Sequence, residues 1–232
     1  MRLWPRLFDF LAPRTCAACR RDLPLLVAGP LCGDCLALAR PQTGAQCRRC
    51  GVADDSPARL CRRCRSRLFA VDCIRAAFAY RPPVRELLHA FKYRGRLDAG
   101  RLLAGWMAGL LPRHPELGRP LAVVCVPLHP GRLRERGFNQ AEWLGRAVAA
   151  AARLPLQEGL RRVKKTRAQW GLSRRERGAN LEGAFAWAGT RPARRVLLVD
   201  DVCTSGSTLE ACARALQAAG AEDIRAFVLA RD

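Results

Sequence analysis

Eight cysteines in four Cys-x-x-Cys pairs constrain the first third of this 232-residue chain more than any other feature: Cys16/Cys19, Cys32/Cys35, Cys47/Cys50 and Cys61/Cys64. Two thiolates separated by two residues sit on a tight knuckle that aims both sulfurs at one ion, and two knuckles complete a tetrahedral four-cysteine site for Zn2+. Four pairs allow two such sites, Cys16 with Cys19, Cys32 and Cys35, and Cys47 with Cys50, Cys61 and Cys64. The spacing also permits an interleaved arrangement, first pair with third and second with fourth. Gly33 and Gly51, just after Cys32 and Cys50, suit knuckle turns. A disulfide framework needs an oxidising compartment. The opening MRLWPRLFDFLAPRTC does not read as a secretory signal, because Pro5, Arg6, Asp9 and Pro13 break its apolar region; a short helix packed on the body is expected there. A redox role is disfavoured by four copies within 49 residues. Closed four-thiolate sites leave no open position for catalysis, so the expectation is a structural zinc ribbon. The flanking Arg20, Arg21, Arg48, Arg49, Arg62, Arg63, Arg65 and Arg67 suit a ribbon that contacts DNA equally well.

After about residue 75 the cysteines thin out and apolar β-type runs alternate with helical stretches, the order of an α/β domain with a mostly parallel sheet. The expected division is a double ribbon module over residues 1–75 and an α/β domain over 76–232. Strands are predicted at Ile74–Tyr80, Leu121–Val126, Val196–Val199 and Ile224–Leu229, and helices at Val84–Tyr93, Arg101–Leu111 and Gln140–Arg153. Leu209, Cys212, Ala213 and Leu216 form an amphipathic stripe stopped by Gly220. Residues 158–180 are polar, basic and glycine-punctuated, and read as one long functional loop. No stretch approaches the ~18 apolar residues of a membrane span, and a cytoplasmic protein is expected.

Charge adds a bias but no choice of partner. Lys and Arg number 41 against 20 acids, a net charge of +21 that favours polyanions such as nucleic acid or phosphorylated metabolites. Only three of those cations are lysines, Lys92, Lys164 and Lys165. The excess is uneven: residues 131–180 carry 13 cations and 4 acids, whereas 181–232 carry 6 and 7.

The run VLLVDDVCTSGST, Val196 to Thr208, carries the most chemistry. An apolar strand ends in Asp200 and Asp201, and small hydroxyl residues around a glycine lead into a helix. Gly206 lets backbone N–H groups approach a phosphate, while Thr204, Ser205, Ser207 and Thr208 offer hydroxyl donors at a helix N-terminus. The acids, at the end of a strand in an open sheet, are placed to accept from vicinal sugar hydroxyls or to hold Mg2+. A capping box formed by Ser207 and Glu210 is the plainer alternative for the helix start. The absence of a GxxxxGK[ST] sequence rules out a P-loop.

This run resembles the signature of the type I phosphoribosyltransferases. More narrowly, the whole chain is similar to the ComF family of competence-associated, phosphoribosyltransferase-like proteins. The double ribbon, FKYRGR (Phe91 to Arg96), VPLHPGRLRERGFNQ (Val126 to Gln140), KKTRAQWGLSRRERGAN (Lys164 to Asn180) and VLLVDD follow the ComF order. The resemblance implies a type I phosphoribosyltransferase-like α/β fold that binds phosphoribosyl pyrophosphate with Mg2+. Asp200 and Asp201 would hold the ribose hydroxyls, and Thr204, Ser205, Gly206, Ser207 and Thr208 the 5-phosphate. Arg132, Arg134 and Arg136 lie where the related transferases place the pyrophosphate loop, and Lys164, Lys165, Arg167 and Gln169 fall in the segment that closes over substrate. His129 reads as a loop contact, and Cys73, Cys125, Cys203 and Cys212 as ordinary small or buried residues. Thr204 stands where the hypoxanthine-type enzymes carry an Asp, which disfavours purine-base salvage. The resemblance also implies a competence context, with single-stranded DNA and other competence proteins as partners. Two functions follow from it, phosphoribosyl transfer with pyrophosphate release and non-enzymatic handling of single-stranded DNA, the latter with Trp170 as a stacking candidate.

Overall fold

The computed structural model describes residues 14–24, 26–54, 60–66, 69–164, 176 and 180–232. The short helix expected at the N-terminus lies outside them.

The four Cys-x-x-Cys pairs alternate between two local structures. Cys16 and Cys19 sit in a turn closed by the antiparallel bridge Thr15–Asp22, and Cys47 and Cys50 in one closed by Gln46–Ala53. Cys32 and Cys61 instead precede one-turn or two-turn helices, α1 (Gly33–Leu38) and α2 (Arg62–Arg65), which carry Cys35 and Cys64. The residue after each hairpin knuckle adopts positive φ, Arg20 at 65° and Gly51 at 67°. Glycine has a further use at the second knuckle, where a Cβ on Gly51 would lie 2.5 Å from the Ile74 carbonyl oxygen. Gly33 has no such duty: it is the first residue of α1, in open space.

The α/β part begins with β1 (Cys73–Ala79), α3 (Val84–Tyr93), α4 (Leu97–Leu110), β2 (Ala122–Cys125), α5 (Pro130–Arg136) and α6 (Gln140–Ala152). It continues with β3 (Leu160–Arg162), β4 (Phe185–Trp187), β5 (Arg195–Cys203), α7 (Ser207–Ala218) and β6 (Asp223–Arg231). Four strands form a sheet in the order β1-β6-β5-β2, with every pair parallel. Strands covered on both faces need apolar side chains on both, and β5 is buried from Val196 through Asp201. Val123, Leu197, Val199, Phe227 and Leu229 face α3, α4 and α6 through Leu87, Phe91, Leu103, Met107 and Leu144. Val124, Val196, Leu198, Ile224 and Val228 face α7 through Leu209, Cys212 and Leu216, with Leu160 and Phe185 beside them.

Three expectations need correction. The segment read as a loop over 158–180 starts with a strand: Leu160–Arg162 pairs antiparallel with Phe185–Trp187. A three-residue strand is too short to show a period in sequence. Helix α4 starts at Leu97, four residues before the predicted Arg101, with Asp98 in its first turn, where the helix dipole favours a carboxylate, paired to Arg96 at 2.8 and 3.0 Å. The capping box does not form: the N-cap of α7 is Gly206, and the Glu210 carboxylate accepts from the Ala70 N–H instead, at 3.0 and 3.1 Å.

Candidate functional site

The cysteines resolve into two sequential tetrads, Cys16, Cys19, Cys32 and Cys35, and Cys47, Cys50, Cys61 and Cys64, each with its sulfurs within 4.8 Å of one another. Cys19 and Cys32 Sγ are 3.7 Å apart, as are Cys50 and Cys61 Sγ. A tetrahedral ion with Zn–S bonds of about 2.3 Å sets its sulfurs about 3.8 Å apart, far beyond a disulfide's ~2.05 Å. Backbone donors repeat as well: Cys32 N–H points to Cys16 Sγ at 3.4 Å and Cys61 N–H to Cys47 Sγ at 3.3 Å. In each tetrad the shifts are split: against the opposing effect of burial, backbone N–H groups hold the Cys16 and Cys47 thiols down at about 6, while burial and the neighbouring sulfurs push Cys35 and Cys64 up. A depressed thiol is a ready metal ligand at neutral pH. Both tetrads therefore could hold zinc, and their closed sets suit a structural ion.

The second candidate site forms where β5 outruns its neighbour. β2 ends opposite Val199, whereas β5 continues to Cys203. Side chains alternate along a strand, so the adjacent acids lie on opposite faces of the sheet. Asp201 follows Leu197 and Val199 toward α3, where it forms a close ion pair with Lys92. Asp200 follows Val196 and Leu198 toward α7 and β3, where Arg162 acts on it electrostatically. Its Oδ1 accepts the Asp201 N–H at 2.8 Å. Burial, with the neighbouring Asp201 charge, pushes the Asp200 carboxyl up to about 8.

That shift has a sign. A carboxyl whose folded pKa lies above its unfolded value of about 3.9 favours the folded state fully below that value. The contribution is lost as pH rises toward about 8. Denaturant midpoints should therefore fall between pH 5.5 and 8.5, and Asp200→Asn should flatten that dependence. At pH 8.5 the variant is expected to be more stable than the parent by about 1–3 kcal/mol. A variant with the parent's slope would contradict the assignment.

Beyond the acids, Gly206 turns the chain with φ +77° into α7. Ser205 is buried, its Oγ 2.9 Å from Ser207 Oγ and accepting from the Ser207 N–H at 3.3 Å. Thr204 is exposed, and Ser207 and Thr208 are half-buried at the helix start. The five loop residues therefore lie together at the N-terminus of a 12-residue helix, with N–H groups that suit an anion. Cys203 has more to do than fill space: its buried Sγ lies 2.8 Å from Arg231 Nη1.

A profile for the phosphoribosyl transferase domain matches residues 188–232, the stretch from just before β5 to the last strand. Over 223 residues the chain is 33% identical to Competence protein F of Haemophilus influenzae, covering 93% of this chain and 96% of that protein. It is 30% identical over 225 residues to DNA utilization protein YhgH of Escherichia coli, covering 94% and 97%. Competence protein ComFC of Streptococcus pneumoniae is 31% identical over 157 residues, 68% of this chain and 67% of that protein. The chain belongs to the ComF family.

Within this ComF fold the basic residues predicted to meet pyrophosphate behave unequally. Their segment is a helix and not a loop, because His129 Nδ1 accepts the Gly131 N–H at 3.1 Å and Pro130 opens the first turn. Positions 132 and 136 share a helix face and 134 does not. Arg136 lies 5.2 Å over the Tyr93 ring and donates to Gln140, which brings it beside the residue that follows Lys92. Arg132 reaches Glu135 at 3.9 Å and Arg134 is exposed. Asn139 ties this region together: Oδ1 accepts from Ala141 N–H and Nδ2 donates to the Val126 carbonyl, both at 3.1 Å. Lys164 is exposed; Lys165, Arg167, Gln169 and Trp170 lie outside the described residues.

Sequence reading did not foresee the place that five side chains take in the structure. Lys92 stands in FKYRGR, and the rarity of lysine in this arginine-rich chain is its signal. Arg94 and Arg96 of the same motif donate to the first knuckle, to the Ala17 carbonyl at 2.6 Å and the Thr15 carbonyl at 3.1 Å. Arg162, half-buried on β3 with its guanidinium 5.7 Å over the Phe185 ring, has no motif to mark it. Arg63 is one ribbon arginine among eight in the sequence, yet it donates to the Ser205 carbonyl at 2.6 Å. Among the described residues no helix is long and apolar enough to cross a membrane.

Proposed function

We propose that this ComF-family chain binds phosphoribosyl pyrophosphate at the crevice beside β5 and transfers its phosphoribosyl group with release of pyrophosphate. The observation that carries the reading is the juxtaposition of a buried Asp200–Asp201 pair with the Thr204–Thr208 turn at the start of α7. The turn takes the 5-phosphate through backbone N–H groups and hydroxyls. The acids accept from the ribose 2- and 3-hydroxyls and so orient C1 toward the acceptor.

The donor set also bears on Mg2+. Lys92 already neutralises Asp201, and Asp200 is raised toward its neutral form. Such a pair suits hydroxyl recognition better than direct coordination of a divalent ion, which demands charged oxygens. Mg2+ held by the pyrophosphate oxygens would supply charge neutralisation of the leaving group. The chain's own contribution there is Arg136, with Arg132 and Arg134 close by on α5.

Calorimetry with phosphoribosyl pyrophosphate and Mg2+ tests this. The Asp200→Asn, Asp201→Asn double variant is expected to bind more weakly by about 30-fold or more, because one charge-assisted hydrogen bond to Asp201, worth about 1.5–3 kcal/mol, and one to the neutral Asp200, worth about 0.5–1.5 kcal/mol, are both disturbed. Undiminished binding would sink the assignment. Pyrophosphate release across bases, amines and nucleic acid would identify the acceptor.

A second reading is favoured by the relatives' names, which speak of competence and DNA utilization, together with the net charge of +21. In it the ribbon arginines and the basic 161–180 segment contact single-stranded DNA, and the transferase fold senses a ligand. Affinity for an oligonucleotide should then fall steeply with salt. DNA binding that ignored salt, or that survived loss of the ribbons, would count against it.

A further inference from the structure

The second ribbon reaches the phosphate loop. Helix α2 is a single turn that follows Cys61 and carries Cys64, so a metal bound by that tetrad fixes the backbone on both sides of Arg63. From this anchored turn Arg63 Nη2 donates to the Ser205 carbonyl at 2.6 Å. Its guanidinium lies 5.3 Å over the Phe69 ring, which also carries Arg49 at 5.9 Å. One residue further on, the Ala70 N–H holds both Glu210 oxygens in the first turn of α7, and Gln217 Nε2 donates to the Ala70 carbonyl at 3.3 Å. Arg63, Phe69 and Ala70 thus grip the loop and the helix that follows it.

The grip has an electrostatic direction. In a trans peptide the C=O and the next N–H point to opposite sides of the chain. A cation that draws the Ser205 carbonyl toward the ribbon therefore turns the Gly206 N–H away from it and polarises that group as a donor. We propose that Arg63, held by the second cysteine tetrad, is a positioning residue for the phosphate loop: it fixes the Ser205–Gly206 peptide in the orientation that receives a phosphate. The proposal rests on the phosphate-loop reading above, and half of its test needs no ligand.

The full-length, zinc-loaded Arg63→Ala variant, with Arg63→Lys and Arg63→Gln, is examined by amide hydrogen exchange in peptides spanning 203–209. Calorimetry with ribose 5-phosphate and metal analysis complete the set. Arg63→Ala is expected to exchange at least fivefold faster in those peptides, with core strands β5 and β6 before residue 203 and from 223 onward unchanged. Ribose 5-phosphate affinity should drop about tenfold, the loss of one hydrogen bond from a charged donor. Zinc content stays at the parental level, and Arg63→Lys recovers part of both losses. A zinc-replete Arg63→Ala with parental exchange and parental affinity overturns the proposal. Should Arg63→Ala lose zinc, Arg63→Gln against Arg63→Lys decides in the same readouts, since both long side chains still cover Phe69. If the parent itself binds no ribose 5-phosphate, the phosphate reading fails while exchange in 203–209 still accepts or rejects the role of Arg63.

Discussion

Stripping metal from this protein is expected to release two zinc ions per chain and to unfold the second cysteine module, residues 41 to 66. The physical reason lies in what packs there. The local core around the second tetrad is Cys47, Cys50 and Cys64, with Val52, Leu60, Cys61 and Phe69 against it. Sulfur atoms occupy the place an aliphatic cluster fills elsewhere, and without an ion four thiols within 4.8 Å of one another have too little apolar surface around them to hold the fold. Structural zinc contributes about 10–16 kcal/mol in isolated zinc-binding peptides, more than a domain's usual net stability of about 5–15 kcal/mol. Cys47→Ser should leave one zinc per chain by metal analysis and should accelerate amide exchange in residues 41–66. Because Arg63 and Ala70 hold the loop and the first turn of α7, ribose 5-phosphate binding should weaken with it. A protein that contains no zinc as purified, takes none up, and keeps its exchange protection would refute the structural-zinc assignment.

The second large effect is expected from Lys92→Met. Lys92 and Asp201 are both largely buried, with 14% and 8% of their side chains exposed. Removing one partner of such a pair leaves an uncompensated charge and costs about 3–5 kcal/mol. Here the cost is increased by Asp200, one residue away, whose charge Asp201 already opposes. The denaturant midpoint of Lys92→Met should fall strongly at pH 8 and recover on acidification, as Asp200, already pushed toward its neutral form, takes up a proton and relieves the like charge beside Asp201. Lys92→Met combined with Asp201→Asn should restore most of the stability, since the two changes together remove the pair instead of breaking it. Stability that fell equally at pH 5.5 and pH 8 would point to lost packing and would refute the electrostatic account. In the proposed site Lys92→Met also misplaces the Asp201 oxygens, so phosphoribosyl pyrophosphate binding should be lost at pH 8.

Much of this architecture is legible in the residues alone. An apolar run without polar alternation has to be a strand covered on both sides, and β5 is one. Alanine-rich Gln140–Ala152 and the 209, 212, 213, 216 stripe can bury a face only as helices, and they are helices. What escapes is short or conditional. β3 has three residues, fewer than any periodicity needs, and is a strand only because β4, over twenty residues later, lies beside it. Proximity in sequence groups Arg132, Arg134 and Arg136, but a helix separates residues two apart onto different faces.

The cysteine spacing by itself determined that the first third of the chain can organise around metal, because thiolate pairs at that separation have few other uses in number. The acids, the glycine and the hydroxyl residues after an apolar strand likewise determined a glycine-opened turn at a helix N-terminus by local backbone chemistry alone. Tertiary structure decided everything that depends on which surfaces meet. It chose sequential over interleaved tetrads, sent Asp200 and Asp201 to opposite faces of the sheet, and matched Lys92 to Asp201 across more than a hundred residues of chain. It also brought Arg63 to the Ser205 carbonyl, 142 positions apart. Spacing reports only what neighbours along the chain can do, whereas ion pairs and buried carbonyl contacts are set by the packing of ribbon, sheet and helices.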